Sequence, residues 1–254
     1  MSDYVLGVLI LVLILLGAYV AHKVRRIHLQ GFEILAHAEI ARQESSQLFS
    51  QLQALNQLER LLNLPLGLPA LRGWAGSPDF LLYLSRHALA AKPQVIAECS
   101  SGASTVVLAR CLQINGNGHV YSLEHDQYYA DKTRQLIAEQ GLSEWATVIH
   151  APLVPHPSAS SPWYDLSVVP AEMQQIELLV IDGPPSVVGA MARYPALAAL
   201  NTRLAEQFDV FLDDADRAEE RAAVQRWVAE TDGLTVAWLP AEKGLAVLTR
   251  RQAG

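Results

Sequence analysis

The chain has 254 residues, of which 51% are hydrophobic and 18% charged, and a formal net charge of -7. This acidic balance excludes broad nucleic-acid binding, which needs a basic surface. Its two cysteines, Cys99 and Cys111, are too far apart for a CxxC pair, which excludes a disulfide framework and a thiolate zinc site.

Tyr4 to Ala21 reads YVLGVLILVLILLGAYVA, 18 residues without a charge. At about 1.5 Å rise per residue such a helix approaches the roughly 30 Å hydrocarbon core of a bilayer. A cleavable signal peptide is the competing reading, but the only early charge is Asp3 and Tyr19 sits where a small residue is preferred. Residues 1–28 are therefore expected to form an uncleaved transmembrane anchor. Lys23, Arg25 and Arg26 follow the span and place the C-terminal bulk in the cytoplasm of a single-pass membrane protein.

Residues 29–64 read as a helical stalk. Glu33 to Leu64 holds no glycine and no proline and is rich in Ala, Leu, Gln and Glu. A 3-4 spacing runs through Ile34, Ala38, Ala41, Ser45, Leu48, Leu52, Leu55, Glu59 and Leu62, seven of the nine being apolar. Two readings stand: a coiled coil that makes a homo-oligomer, or an amphipathic helix lying on its own globular domain. Residues 65–92, with a Pro- and Gly-rich start, form a linker and a cap helix, FLLYLSRHALAA, for which Ser77 or Asp79 is the N-cap.

Residues 93–254 alternate short apolar runs with helical patterns. The expected strands are 94–98, 119–124, 146–150, 177–182 and 209–213. The expected helices are Ser104–Leu112, Gln127–Gln140, Pro195–Gln207 and Asp216–Glu230. This alternation predicts a Rossmann-like α/β fold, a doubly wound and mostly parallel sheet; TVAWL and GLAVLT add a terminal antiparallel hairpin. Ligands bind beyond the C-terminal ends of such strands. Four of the five expected strands end there in Glu98, Glu124, Asp182 and Asp213. Clustered carboxylates require hydrogen bonds, cations or ligand groups in compensation.

VIAECSSGAST, VYSLEHD, LLVIDGPP and VFLDDADR, in this order, resemble the class I S-adenosylmethionine-dependent methyltransferases over about residues 93–250. The first stretch departs from the glycine-rich form of that family, keeping only Gly102 after Cys99, Ser100 and Ser101. The resemblance implies a cofactor site of Glu98, Ser100, Gly102, Ser104, Glu124, His125 and Asp182. In it, the loop and the helix N-terminus take the methionine carboxylate and Glu124 takes the ribose hydroxyls. Asp182, Asp213 and Asp214 match the acids that hold Mg²⁺ in cation-dependent O-methyltransferases, where the metal lowers the pKa of an acceptor hydroxyl. Capping of the following helix by Asp213 or Asp216 is the alternative.

The lysine general base of the catechol-type enzymes is replaced by Pro185, which leaves Asp214 and Asp216 as candidates for the base; Asp182 and Asp214 are the expected catalytic residues. Arg193, in a long segment after the fourth strand, pairs either an anionic substrate group or a surface carboxylate. Trp74, Trp163 and Tyr164 either line the pocket or serve packing.

The function expected is a membrane-anchored O-methyltransferase acting on a small-molecule, glycan or lipid-linked acceptor, without nucleic acid as partner. A catalytically inactive scaffold assembling through its stalk is the second reading. A nucleotide-dependent enzyme of another class is the third, weakened by the absence of P-loop and GxGxxG motifs.

Overall fold

The computed structural model describes residues 2–71, 75–156 and 161–251. The chain divides into two compact units, Met1–Ser50 and Gln51–Gly254. One unbroken helix, α1 (Ser2–Leu62), begins in the first and ends in the second, with no interruption near residue 28. In the first unit, Gly7–Glu39 is long and apolar enough to cross a membrane, and Leu13, Ile14, Leu15 and Leu16 are exposed.

The second unit starts inside the expected stalk. Ala54, Leu58 and Leu62, spaced one helical turn apart, are buried in the core of this unit. Of the two stalk readings, packing on the globular domain thus describes the last three turns. Seam position Leu52 stays exposed there. Arg110 Nε donates to the terminal carbonyl of Leu62 at 2.7 Å, satisfying a group the helix end leaves free.

After the cap helix α2 (Pro78–Ala91) come β1 (Val95–Cys99), α3 (Ala103–Asn115), β2 (His119–Glu124), α4 (Gln127–Glu139) and β3 (Ala146–His150). A two-stranded ribbon follows, β4 (Leu153–Val154) with β5 (Trp163–Tyr164). The chain continues through β6 (Ile176–Ile181), α5 (Pro195–Leu200), β7 (Leu204–Leu212), α6 (Ala218–Glu230), β8 (Leu234–Leu239) and β9 (Leu245–Arg250). The seven-stranded sheet has the order β3-β2-β1-β6-β7-β9-β8, parallel except for β9, which runs antiparallel to both β7 and β8.

Alternation along each strand feeds two core layers. Ile96, Leu178 and Val180 enter the layer with α2 and α3, while Ala97, Cys99, Leu179 and Ile181 enter the layer with α5 and α6. The order turns back between β1 and β6, which puts the crevice beyond their C-terminal ends.

The helix expected over Pro195–Gln207 stops at Leu200. A 3-10 turn spans Asn201–Arg203, and Leu204 already pairs with Ile176. Ladder bonds outweigh helical propensity here, and a bulge between Ile176 and Leu178 absorbs the surplus residues of β7.

Candidate active site

The sheet brings the four expected acids to one edge, yet only some of them face the crevice. Glu98, next to last in β1, is fully buried. Its parallel register partner is Ser122, whose hydroxyl donates to Glu98 Oε2 at 2.5 Å, and Thr105 of α3 donates to the same oxygen at 2.6 Å. Burial raises the pKa of Glu98; the hydroxyls of Ser104, Ser122 and Thr105 act against the rise. The other oxygen of Glu98, Oε1, is buried and has no hydrogen-bond partner among the described residues. Glu98 ties β1, β2 and α3 together from below, and Ser104 is likewise buried.

The loop above it has the required shape. Ser100 has φ 120° and donates its N–H to Leu123 O at 3.0 Å. Gly102 has φ 156°, a backbone that L side chains rarely adopt, and a Cβ there would meet no protein atom within 4 Å. Open space therefore lies in front of the first turn of α3, whose N–H groups carry partial positive charge.

Glu124 ends β2 with its oxygens held on three sides. Ser101 Oγ donates to Oε2 at 3.2 Å, and Asp126 N donates to Oε1 at 3.1 Å. His125 Nδ1 lies 3.0 Å from Oε1. The hydrogen bond to Glu124 raises the pKa of His125, with burial opposing. Ser101 was not singled out by sequence reasoning, although it is the polar loop residue nearest the strand-two acid.

Asp182 and Asp213 lie one residue beyond β6 and β7, and Asp214 follows with φ 56°. Oxygen atoms from the three lie within 4.8 Å of one another, so the expected cluster does form. Arg193 lies within it, only 4% exposed. Its Nη2 donates to Asp214 Oδ2 at 2.8 Å, to Asp182 Oδ1 at 3.2 Å and to the Asp182 carbonyl at 2.9 Å. Its Nη1 donates to the Asp213 carbonyl at 2.9 Å, and Glu220 Oε1 lies 3.8 Å from Nε. Neither a surface salt bridge nor a free substrate-binding cation, Arg193 is a buried counter-ion joining two strand ends.

Asp214 also takes Arg217 Nη1 at 2.8 Å. Both guanidinium groups bond the same oxygen, Oδ2, and Oδ1 is closed to solvent, so neither oxygen of this expected catalytic residue is open to an acceptor. Asp213 is sealed, and neither of its oxygens has a hydrogen-bond partner among the described residues. Burial, then the charge of Asp214, pushes its pKa up to about 6. Burial and Asp213 raise Asp182 well above the usual carboxylate range. Asp182 is the least buried of the three.

Trp163 and Tyr164 are buried residues of β5 rather than pocket walls. Trp74 lies outside the described residues.

Residues 99–215 match a family model described as a methyltransferase domain. No curated protein matches the sequence. Among solved structures, the chain resembles a methyltransferase from Geobacter sulfurreducens (TM-score 0.52, 16% identity, 80% of this chain and 89% of that one). It also resembles an O-methyltransferase from Bacillus cereus in complex with SAH (TM-score 0.52, 14% identity, 78% and 91%). An SAH-bound methyltransferase from Podospora anserina gives TM-score 0.53 at 14% identity, over 78% and 88%. At such identities the likeness concerns the fold. The strand order and the structural likenesses give the globular unit a Rossmann-like α/β fold, and the methyltransferase-domain match lies within it, over residues 99–215.

Proposed function

We propose that this chain is a membrane-anchored methyltransferase that uses S-adenosylmethionine to methylate an oxygen acceptor. The carrying observation is the sheet edge beyond β1 and β6, which carries the open space at Gly102, the strand-end carboxylate of Glu124 and the partly exposed Asp182. That donor set fits a nucleoside bearing an amino-acid tail. The N–H groups of α3 and the Ser100–Gly102 loop suit a carboxylate, and Glu124 suits a pair of ribose hydroxyls.

When bound, S-adenosylmethionine supplies an electrophilic methyl carbon. Asp182 would accept the acceptor's hydroxyl proton, while the loop after β1 and Glu124 would hold the cofactor in place for transfer. Burial, then the charge of Asp213, raise the pKa of Asp182, which strengthens it as a proton acceptor. Glu98, Thr105 and Ser122 hold the loop in place, and the rest of the rate gain comes from positioning.

The residues fit the divalent ion expected at Asp182, Asp213 and Asp214 poorly. Mg²⁺ demands near-octahedral oxygen ligands at about 2.0–2.1 Å and keeps several waters. The position between Asp182 Oδ1 and Asp214 Oδ2 is filled by Arg193 Nη2, and both Asp213 oxygens and Asp214 Oδ1 are closed to solvent. No step is assigned to a metal.

In this reading the uncharged start of the apolar helix, up to Ala21, spans the membrane, and Lys23, Arg25 and Arg26 just after it keep the catalytic unit in the cytoplasm. An acceptor at the membrane, such as a lipid-linked glycan precursor, follows from that tether. Exposed Ile34 and Leu48 are available for pairing with a second copy. Calorimetric titration of the detergent-solubilised chain with SAH tests the proposal. Binding is expected, with roughly a hundredfold loss in Glu124→Ala, the effect of removing two hydrogen bonds to a charged group. Absence of binding by the wild type overturns it in favour of a scaffold.

A further inference from the structure

Arg193 has no counterpart in what the sequence implied for the acidic strand tips, and its environment is built to hold it. Its backbone lies between Met191, whose N–H donates to Glu219 Oε2 at 2.9 Å, and Ala196, whose N–H donates to Arg193 O at 3.2 Å. The adjoining Tyr194 carbonyl accepts from Trp227 Nε1 at 2.9 Å. α6 thus fixes the segment on both sides of the arginine, and the fork enters already aimed.

We infer that Arg193 is a built-in cation. Its guanidinium occupies the position a divalent ion would need between Asp182 and Asp214, so the strand tips are neutralised and aligned from within, and the site works without a metal. Two features separate this from an ordinary buried salt bridge. The fork binds main-chain oxygens at both strand ends, Asp182 O and Asp213 O, as well as the carboxylates. It also leaves Asp213 and Asp214 Oδ1 sealed and unpartnered, with no opening through which an ion could bring its waters.

A planar five-donor group joins the C-terminal ends of β6 and β7 more rigidly than a hydrated ion would. Arg193 is in this account a positioning residue, acting on the reaction through Asp182. Only that last link rests on the proposed methyl transfer; the exclusion of metal stands on the geometry alone.

The test uses the full-length chain in detergent, stripped with EDTA and titrated with Mn²⁺ under electron paramagnetic resonance. Wild type and Arg193→Lys are expected to hold no ion beyond the background of Asp182→Asn. Arg193→Met frees the carboxylates and is expected to bind one Mn²⁺ at least roughly a hundredfold more tightly than wild type, the scale of removing a unit charge about 4 Å away in a protein interior. Adding Asp182→Asn to that variant abolishes the gain. A wild-type protein that binds one Mn²⁺, lost in Asp182→Asn, overturns the inference, and so does a folded Arg193→Met protein that gains none. If Arg193→Met does not melt cooperatively, the comparison of wild type with Asp182→Asn decides alone. SAH titration of the same samples shows separately whether the methyl-transfer reading holds.

Discussion

Gly183 and Tyr164 meet so closely that a Cβ at Gly183 would stand 2.5 Å from the tyrosine hydroxyl oxygen. It would also lie 3.1 Å from Ser100 Cβ and 3.2 Å from Cys99 O, so the loop after β6 has no room to give. Gly183→Ala is expected to destabilise the fold by about 1–3 kcal/mol. The Tyr164 hydroxyl itself has no hydrogen-bond partner among the described residues. Tyr164→Phe therefore leaves the melting temperature unchanged or raises it, since an unsatisfied buried group is removed. In the double variant the nearest clash is gone, and part of the Gly183→Ala loss is recovered. Thermal melts of the four proteins form the cycle; strict additivity would show that the two residues do not press on each other.

The second prediction concerns pH. His125 pairs with Glu124, and that bond raises the histidine pKa above its usual 6.5. The folded value being the higher one, the charged pair is fully present below 6.5 and is lost as pH rises through the raised value. A charged His125 competes with ribose hydroxyls for Glu124 Oε1. SAH affinity is expected to weaken several-fold on acidification from about pH 8.5 to about pH 6. In His125→Gln the slope flattens. An unchanged slope in the variant would place the titrating group elsewhere.

A third relationship lies far from the crevice. Asp209 accepts from Arg251 Nη2 at 2.8 Å and from Thr249 Oγ1 at 2.8 Å, and His87 Nε2 lies 3.1 Å away. Burial raises its pKa, but these partners outweigh it and bring the value down to about 2. A depressed carboxylate stabilises the fold above its unfolded pKa, near 3.8, and that contribution is lost as pH falls through about 2. Between those pH values wild type is expected to lose more stability than Asp209→Asn, measured as urea midpoints at each pH. Parallel curves for the two proteins would refute the assignment.

The strand ends were readable because apolar runs stop abruptly at Glu98, Glu124, Asp182 and Asp213, and a parallel sheet sends such ends to one edge. What periodicity cannot carry is which of them faces solvent. Glu98 turns inward because the β1–β2 register sets it beside Ser122, a pairing 24 residues apart. The polar Ser122, set between Tyr121 and Leu123 inside the strand, was the available signal. Arg193 was harder: nothing local distinguishes a loop arginine bound for the surface from one anchored by α6 beneath two strand tips. The lost end of the expected α5 has the same origin, since the Leu204–Ile176 pairing is formed at a distance.

The boundary of the globular unit supplies the last prediction. The sequence favoured a break near residue 64, whereas the compact unit begins at Gln51. Within it Leu58 and Leu62 are fully buried, and Gln51 Nε2 donates to Asp79 Oδ2 at 2.8 Å. A protein beginning at residue 51 is expected to melt cooperatively and retain SAH binding. One beginning at residue 65 uncovers apolar surface on α2 and α3 and leaves Arg110 without the Leu62 carbonyl. Single replacement Leu58→Ala in the longer form should already cost about 2–5 kcal/mol, the range for a buried leucine that leaves a cavity. Equal melting temperatures for the two truncated proteins would mean that the last turns of α1 merely rest on the domain; a large gap would make them part of its core.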